Sequence, residues 1–395
     1  MKRLFLILAV VSLSATTAVA QKKMPASVRT IGEKYPLRTE IILPQVKGYN
    51  IYKADFHTHT SYSDGVVSPA GRVMEAWLDG LDILAITDHY EGLKGVGKAL
   101  RVAAPYNENG KPIPYKSTSQ TGKVMADFNA IHREAVIMNK NKGYNLLLIK
   151  GCEMARKGKL GHYNALFVKD LNTLYDKDFM QSFRNVKKQG GIIIHNHPGN
   201  VAKYENEFHT KAYDEGLIDG IEVANGANFY PPMVNRCIER GLTMLGNTDI
   251  HAPMSLTQYL ISGNYRTMTF VLAKECTEKA VKEALLKRRT LVYSGGCIIG
   301  ELSWLSEFLN AGVDCRLIRE DAETGNRRYQ LINNTSIPFV LRRGKSVLKL
   351  EPFKSVLVSV AKDKKSGKPS LPTYRIGNMW QENYQHPVIE IEIDK

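Results

Sequence analysis

The chain has 395 residues, 54 Lys and Arg against 39 Asp and Glu, and a formal charge of +15 at pH 7. That length admits two domains with proper cores, and no internal repeat or low-complexity tract breaks it. The cations are scattered, and Lys287-Arg288-Arg289 sits where a helix ends and cations complement its dipole, so no nucleic acid is expected as a stable partner.

Residues 1–20 read as an export signal. Lys2 and Arg3 form the basic start, Leu4 to Leu13 the apolar stretch, and Ala18-Val19-Ala20 a small-residue cleavage site before Gln21. The apolar run is shorter than the ~20 residues a spanning helix needs, and no later stretch is long and apolar enough. The expectation is a mature chain that starts near Gln21, carries +13 without Lys2 and Arg3, and is periplasmic or secreted. Five cysteines, an odd number, occur without a Cys-x-x-Cys pair, so neither a zinc ribbon nor a redox pair is indicated. One disulfide is compatible with the sequence, and Cys152 reads as a small core residue.

Residues 21–49 form an irregular arm. From 50 to 300, short apolar strands alternate with helical segments. Strands are expected at Ile83 to Thr87, Leu146 to Lys150, Tyr163 to Val168, Ile192 to His195, Gly220 to Val223, Thr243 to Gly246 and Leu291 to Tyr293. Ser68-Pro69 opens a helix as N-cap and first residue, with Val73, Met74, Trp77 and Leu78 at helical spacing up to Gly80. Further helices are expected at Phe128 to Lys140, Phe179 to Gln189, Met233 to Arg240 and Thr277 to Arg288. This alternation predicts a parallel α/β barrel. Beyond 301, Arg328 to Ile332, Phe339 to Leu341, Ser346 to Leu350, Ser355 to Val360 and Val388 to Ile393 predict a small accessory β-sandwich over 301–395.

Metal-type ligands recur where strands end. His57 and His59 stand at i and i+2, a spacing that puts both on one face of an extended chain, and Asp64 follows. Thr87-Asp88-His89, Cys152-Glu153, His162, His195-Asn196-His197 and Asp249-Ile250-His251 lie at other strand ends. The C-terminal ends of barrel strands form one face, so these distant residues converge there. Buried unpaired charges are costly, and a metal is their natural partner. Imidazole with carboxylate suits zinc, manganese or iron better than calcium or magnesium.

The motifs His57-Thr58-His59, Thr87-Asp88-His89, His197-Pro198 and Asp249-Ile250-His251, with Glu153 and His162 between, resemble the polymerase and histidinol phosphatase (PHP) superfamily over about residues 50–300. Lys150-Gly-Cys-Glu, Gly161-His-Tyr-Asn-Ala, Asp219-Gly-Ile-Glu-Val and Leu245-Gly-Asn-Thr-Asp-Ile-His are most similar to an exported bacterial branch of phosphodiesterases. The resemblance implies a distorted (β/α)7 barrel of the TIM-like type holding two or three divalent metals. By the same resemblance, His57, His59, Glu153 and Asp249 hold one metal. Glu153 bridges to a second, shared with His162 and His197, and Asp64, His89 and His251 hold a third. Asp64 stands where some members carry a histidine.

Two cations ~3.5–4 Å apart can activate a water between them and stabilise both oxygens of an in-line displacement. A small anionic phosphate ester, a diester before a monoester, is therefore the expected substrate. A phosphatase for nucleotides or sugar phosphates is the alternative among enzymes, and a non-catalytic envelope binding protein with structural metals is the alternative outside them. Around the ligands, Asp88 reads either as a partner fixing a ligand imidazole or relaying a proton, or as a helix cap. Arg156 reads as a fork for a phosphate oxygen or as a surface ion pair. His195 reads as a substrate contact or ligand partner on the side of His197, or as a satisfied rim histidine.

Overall fold

The computed structural model describes residues 37–90, 118–119, 124–125, 127–156, 160–198, 206–256, 264–362 and 370–393. The export signal expected at 1–20, and the arm up to residue 36, lie outside the described residues. From Arg38 the arm runs beside the first helix, where Arg38 donates to Leu81 O at 2.7 Å and pairs with Asp82 at 2.8 Å.

Seven strands build the barrel: β1 (Asn50–Asp55), β2 (Ile83–Ile86), β3 (Leu147–Ala155), β4 (His162–Leu166), β5 (Ile192–His195), β6 (Gly220–Asn225) and β7 (Thr243–Asn247), adjacent in that order. The sheet curls so that the chain leaving β7 meets the chain leaving β1. A parallel bridge joins Thr58 to Ile250, His59 N donates to Ile250 O at 3.0 Å, and Phe56 N donates to Asn247 Oδ1 at 2.8 Å. Alternate residues serve different layers, as strand geometry requires. Ala54, Ile83, Ala85, Ile149, Ile192 and Ile194 pack in one cluster, whereas Leu84, Ile86, Ile193 and Ile221 belong to another.

The expected all-parallel barrel is corrected at β4, which runs antiparallel to both β3 and β5. The reason is chain length. A parallel return needs a crossover of a dozen or more residues, and only 156–161 separate β3 from β4. The reversal matters for the site. It brings the first residue of β4, His162, to the edge where the parallel neighbours end.

Helices α1 (Pro69–Leu78), α2 (Asn129–Lys142), α3 (Phe179–Lys188), α4 (Glu207–Asp214), α5 (Pro231–Arg240) and α6 (Glu278–Leu286) accompany the barrel strands. Ser68 caps α1 by accepting from Gly71 N, with Pro69 at its first position, as the sequence predicts. Asn206 caps α4, a helix that sequence reading missed because its eight residues are mostly polar.

On the other side of β1, strands β8 (Met268–Ala273), β9 (Thr290–Ser294) and β10 (Cys297–Ile299) add antiparallel pairings. Met268–Ala273 was not expected as a strand: all six of its residues are buried, so its sequence shows no alternation. Helix α7 (Leu302–Gly312), also unexpected, leads to the C-terminal strands.

Strands β11 (Val313–Glu320), β12 (Arg327–Asn333), β13 (Phe339–Arg343), β14 (Ser346–Leu350), β15 (Ser355–Val360), β16 (Thr373–Ile376) and β18 (Val388–Glu390) form a three-stranded sheet, β11-β12-β15, and a four-stranded sheet, β14-β13-β16-β18. Between them in the chain, β17 (Met379–Trp380) pairs with β10 and ties the region to the barrel sheet. The five cysteines are all free.

Candidate metal centre

Glu153 occupies the centre of the barrel rim. β3 delivers it, the residue is 1% exposed, and its two oxygens face different imidazoles. Oε1 lies 3.2 Å from His162 Nδ1, 3.3 Å from His197 Nε2 and 3.4 Å from His57 Nε2. Oε2 lies 3.0 Å from His89 Nδ1 and 3.5 Å from His59 Nε2. Asp249 closes the opposite side, with Oδ1 3.1 Å from His57 Nε2 and 3.0 Å from His59 Nε2. Asp64 stands at the lip, 3.2 Å from His251 Nε2 and 3.5 Å from His89 Nε2.

All nine residues expected to hold metal thus converge. Their ligand atoms fall into overlapping groups: His57, His59 and Asp249; His57, Glu153 and His197; His89, Glu153 and His162; and His59, Asp64, His89 and His251. The sharing differs in detail from the expected division, because His59 also joins the Asp64 group and His89 also faces Glu153. Burial grades the site from a closed floor of His57, His59 and Glu153 to a lip where the Asp64, His162 and His251 side chains are 42%, 38% and 38% exposed.

Backbone geometry explains how residues beyond strand ends are held. β1 ends at Asp55, two residues before His57, yet the His57 and His59 Nε2 atoms meet at 3.1 Å. The Thr58–Ile250 bridge keeps this segment in register with the chain after β7. His197 and Asp249 adopt φ of 29° and 54°, a left-handed backbone that non-glycine residues take at a cost. Hydrogen bonds fix both: His197 N donates to Glu222 Oε2 at 2.8 Å, and Asp249 N donates to His57 O at 2.8 Å.

The atoms point at a shared space more than at one another. Asp249 Oδ1 and His89 Nδ1 are buried, and neither has a partner in hydrogen-bonding geometry despite close neighbours. Such convergence of lone pairs, on imidazole and carboxylate donors, fits divalent metals. The charges respond to each other as well. Burial opposes a charged His57 imidazole, but Asp249, Glu222 and Glu153 outweigh it and hold its pKa well above the usual value. Burial likewise opposes ionised Glu153, and His57, His162 and His197 outweigh it in the other direction.

Asp88, Arg156 and His195 take other places. The Asp88 carboxylate accepts from Thr60 N at 2.7 Å, Thr60 Oγ1 at 2.6 Å and Ser63 Oγ, so it anchors the loop between His59 and Asp64 instead of an imidazole or a helix end. Arg156 donates to Asp176 O and Lys177 O and lies over Tyr175 and Phe179, turned to that segment and not to a phosphate position. His195 is stacked on Tyr163 with ring centroids 4.6 Å apart, and its Nδ1 lies 2.6 Å from Tyr213 Oη. The expected sharing of one side by His195 and His197 fails because β5 ends at His195 and the left-handed backbone at His197 redirects the chain.

Sequence reading missed three residues that brace the cluster. Asn196 Nδ2 donates to Glu153 Oε1 at 2.8 Å, Glu222 Oε1 lies 2.8 Å from His57 Nδ1, and Asp55 Oδ1 accepts from His57 N at 3.1 Å. Glu222 had a signal, a carboxylate in the apolar run Gly220-Ile-Glu-Val. The lip also depends on a close approach at Gly65, where a Cβ would come within 2.8 Å of the His59 carbonyl. Gly65→Ala is expected to displace Asp64 and the His59 backbone, and so to weaken metal at the Asp64–His89–His251 group and, through His59, at the His57–His59–Asp249 group. Metal titration of the variant checks this, and a wild-type profile would refute it.

No family model matches the sequence, and no curated protein matches it either. Among solved structures, the chain is similar to a two-domain protein from Bacteroides vulgatus containing a predicted PHP-like metal-dependent phosphoesterase. The identity is 30% and the TM-score 0.74, covering 90% of this chain and 98% of that one. A candidate metal-dependent phosphoesterase from Bifidobacterium adolescentis aligns at 15% identity and TM-score 0.35, covering 60% of this chain and 96% of that one. An amidohydrolase from Chromobacterium violaceum, with bound sulfate and no metal, aligns at 15% identity and TM-score 0.32, covering 52% and 89%. These last two likenesses are too low to bear on the fold.

Proposed function

Because this chain belongs to the PHP-like metal-dependent phosphoesterases, we propose that it hydrolyses a phosphodiester outside the cytoplasm, with two or three divalent metals held by the nine rim residues. The observation that carries the proposal is the placement of Glu153, one buried carboxylate whose two oxygens serve separate imidazole groups. When bound there, such cations supply Lewis acidity toward phosphoryl oxygens and lower the pKa of water toward neutrality.

The chain's own residues do the rest. Glu153 keeps the two imidazole groups in one frame, and Asp249 spans the Nε2 atoms of His57 and His59. The part-exposed His162, His251 and Asp64 mark the side from which an ester enters. With Arg156 committed to the Tyr175–Phe179 segment, the guanidinium expected at the phosphate is absent from that place. The mature charge of +13 would raise the local concentration of an anionic substrate, an effect that weakens with salt.

Metal analysis of purified mature protein, followed by kcat/KM on matched aryl phosphodiester, phosphomonoester and carboxylic ester substrates, tests the proposal. Two to three metals per chain and fastest turnover of the diester are expected. Preference for the monoester would replace the diester reading by a phosphatase, and no turnover of any phosphate ester by fully metallated protein would remove both. N-terminal sequencing of exported protein, expected to begin near Gln21, tests the location.

A further inference from the structure

Glu222 is a buried carboxylate outside the nine rim residues, and every lone-pair direction it has is taken. Oε1 faces His57 Nδ1 at 2.8 Å and accepts from Asn247 Nδ2 at 2.9 Å. Oε2 accepts from His197 N at 2.8 Å and from Asn225 Nδ2 at 2.8 Å. The residue is 0% exposed, and no Lys or Arg pairs with it among the described residues. A carboxylate offers about four acceptor sites, which these four contacts fill.

We infer that Glu222 is a positioning residue that fixes His57 as the Nδ1–H tautomer, so that the Nε2 lone pair is presented to a metal, and that it holds the strained turn at His197. The inference rests on the metal-centre reading above. The two ring nitrogens of an imidazole are complementary: a proton committed at Nδ1 leaves the lone pair on Nε2. His57 Nε2 is the nitrogen that meets Asp249 Oδ1 at 3.1 Å and Glu153 Oε1 at 3.4 Å, on the far side of the ring from Glu222.

The second oxygen does separate work. His197 has φ of 29°, and its N–H is tied to Glu222 Oε2. One carboxylate on β6 thereby sets the ring state of a ligand following β1 and the backbone of a ligand following β5. Asn225 and Asn247, donating from the ends of β6 and β7, hold the carboxylate in place.

Glu222→Gln tests this, because an amide keeps the size but offers only one acceptor atom. If the NH2 faces His57, the ring must turn its Nδ1 lone pair toward it and place Nε2–H in the metal space. If the NH2 faces His197, two donors oppose it and the strained turn loses its tie. Metal-stripped wild type and Glu222→Gln would be titrated with Zn2+ alone, with circular dichroism monitoring the fold. The expected result is a ~10–100-fold weaker affinity for the sites using His57 and His197, the range found when outer partners of ligand histidines are lost. The Asp64–His89–His251 site should keep its affinity.

Equal zinc affinity in both proteins would overturn the inference while leaving the metal-centre reading intact. A wild type that binds no zinc would overturn both. Should Glu222→Gln fail to fold, long-range 1H–15N spectra of zinc-loaded wild type decide the matter, with the His57 signals identified by their loss in His57→Gln. Nδ1 protonated and Nε2 metal-bound is expected for His57, and the reverse pattern would overturn the inference.

Discussion

Glu153→Gln is expected to lower kcat/KM by more than ~10²-fold, beyond the range for residues that only orient a ligand. The substitution preserves volume but replaces one oxygen by an NH2 that cannot ligate and removes the charge that five imidazoles surround. Oε1 and Oε2 each face histidines from different strands, so either orientation of the amide disables one group. Metal content should fall in more than one site, which distinguishes Glu153 from Asp64, whose imidazole contacts among the described residues are His59, His89 and His251. The same change also removes one buried counter-charge from imidazoles that keep Asp249, Glu222 and Asp64, so the loss in stability should stay below the ~3–5 kcal/mol of a fully broken buried pair. Elemental analysis, steady-state kinetics and thermal unfolding check the three effects. Wild-type metal content in the variant would show that Glu153 is not shared between metals.

The second large effect is expected at Arg266, which lies beneath the cluster and touches no ligand side chain. Its guanidinium pairs with Asp55 at 2.6 Å and with Asp79 at 3.0 Å, and it is 3% exposed. Asp55 in turn accepts from His57 N at 3.1 Å and Thr248 N at 3.2 Å, joining the backbone before Asp249 to that of His57. Arg266→Leu strands the Asp55 carboxylate in a site with no exposure, so a loss of about 3–5 kcal/mol in unfolding free energy is expected. Metal affinity at the His57–Asp249 group should fall with it, because both backbones lose their common brace. Removing both charges, as Arg266→Leu with Asp55→Leu, should recover only part of the stability, since the buried Asp55 ion is gone while Asp79 still lacks its partner. A single-variant loss below ~1 kcal/mol in denaturant unfolding would sink the argument.

These expectations depend unequally on sequence and on structure. Most of the nine rim residues were legible in the sequence because they stand at or just beyond the ends of short apolar strands, and strand ends in a barrel share a face. His57 and His59 could be paired by spacing alone. Helix starts such as Ser68-Pro69 were legible because capping is local chemistry, decided within one turn. The two C-terminal sheets were also foreseen, since short runs of β-formers between turns need no distant partner to be recognised.

What the tertiary structure decided is which residues meet. Spacing carries the direction of a side chain only while the backbone stays regular. At His197 the backbone turns left-handed, so the period that seemed to join it to His195 does not apply, and His195 packs on Tyr163. Arg156 follows a strand that carries Glu153, yet the aromatic rings of Tyr175 and Phe179 and two carbonyls draw it away. Glu222, Asn196 and the Asp55–Arg266 pair are separated from their partners by tens to hundreds of residues, and no periodicity links them. Local sequence determined which residues reach the rim, because residue type and strand end are local properties. The meeting of the segments that follow β1 and β7 decided their grouping and their braces, because contact between distant parts of the chain is fixed only when the sheet curls.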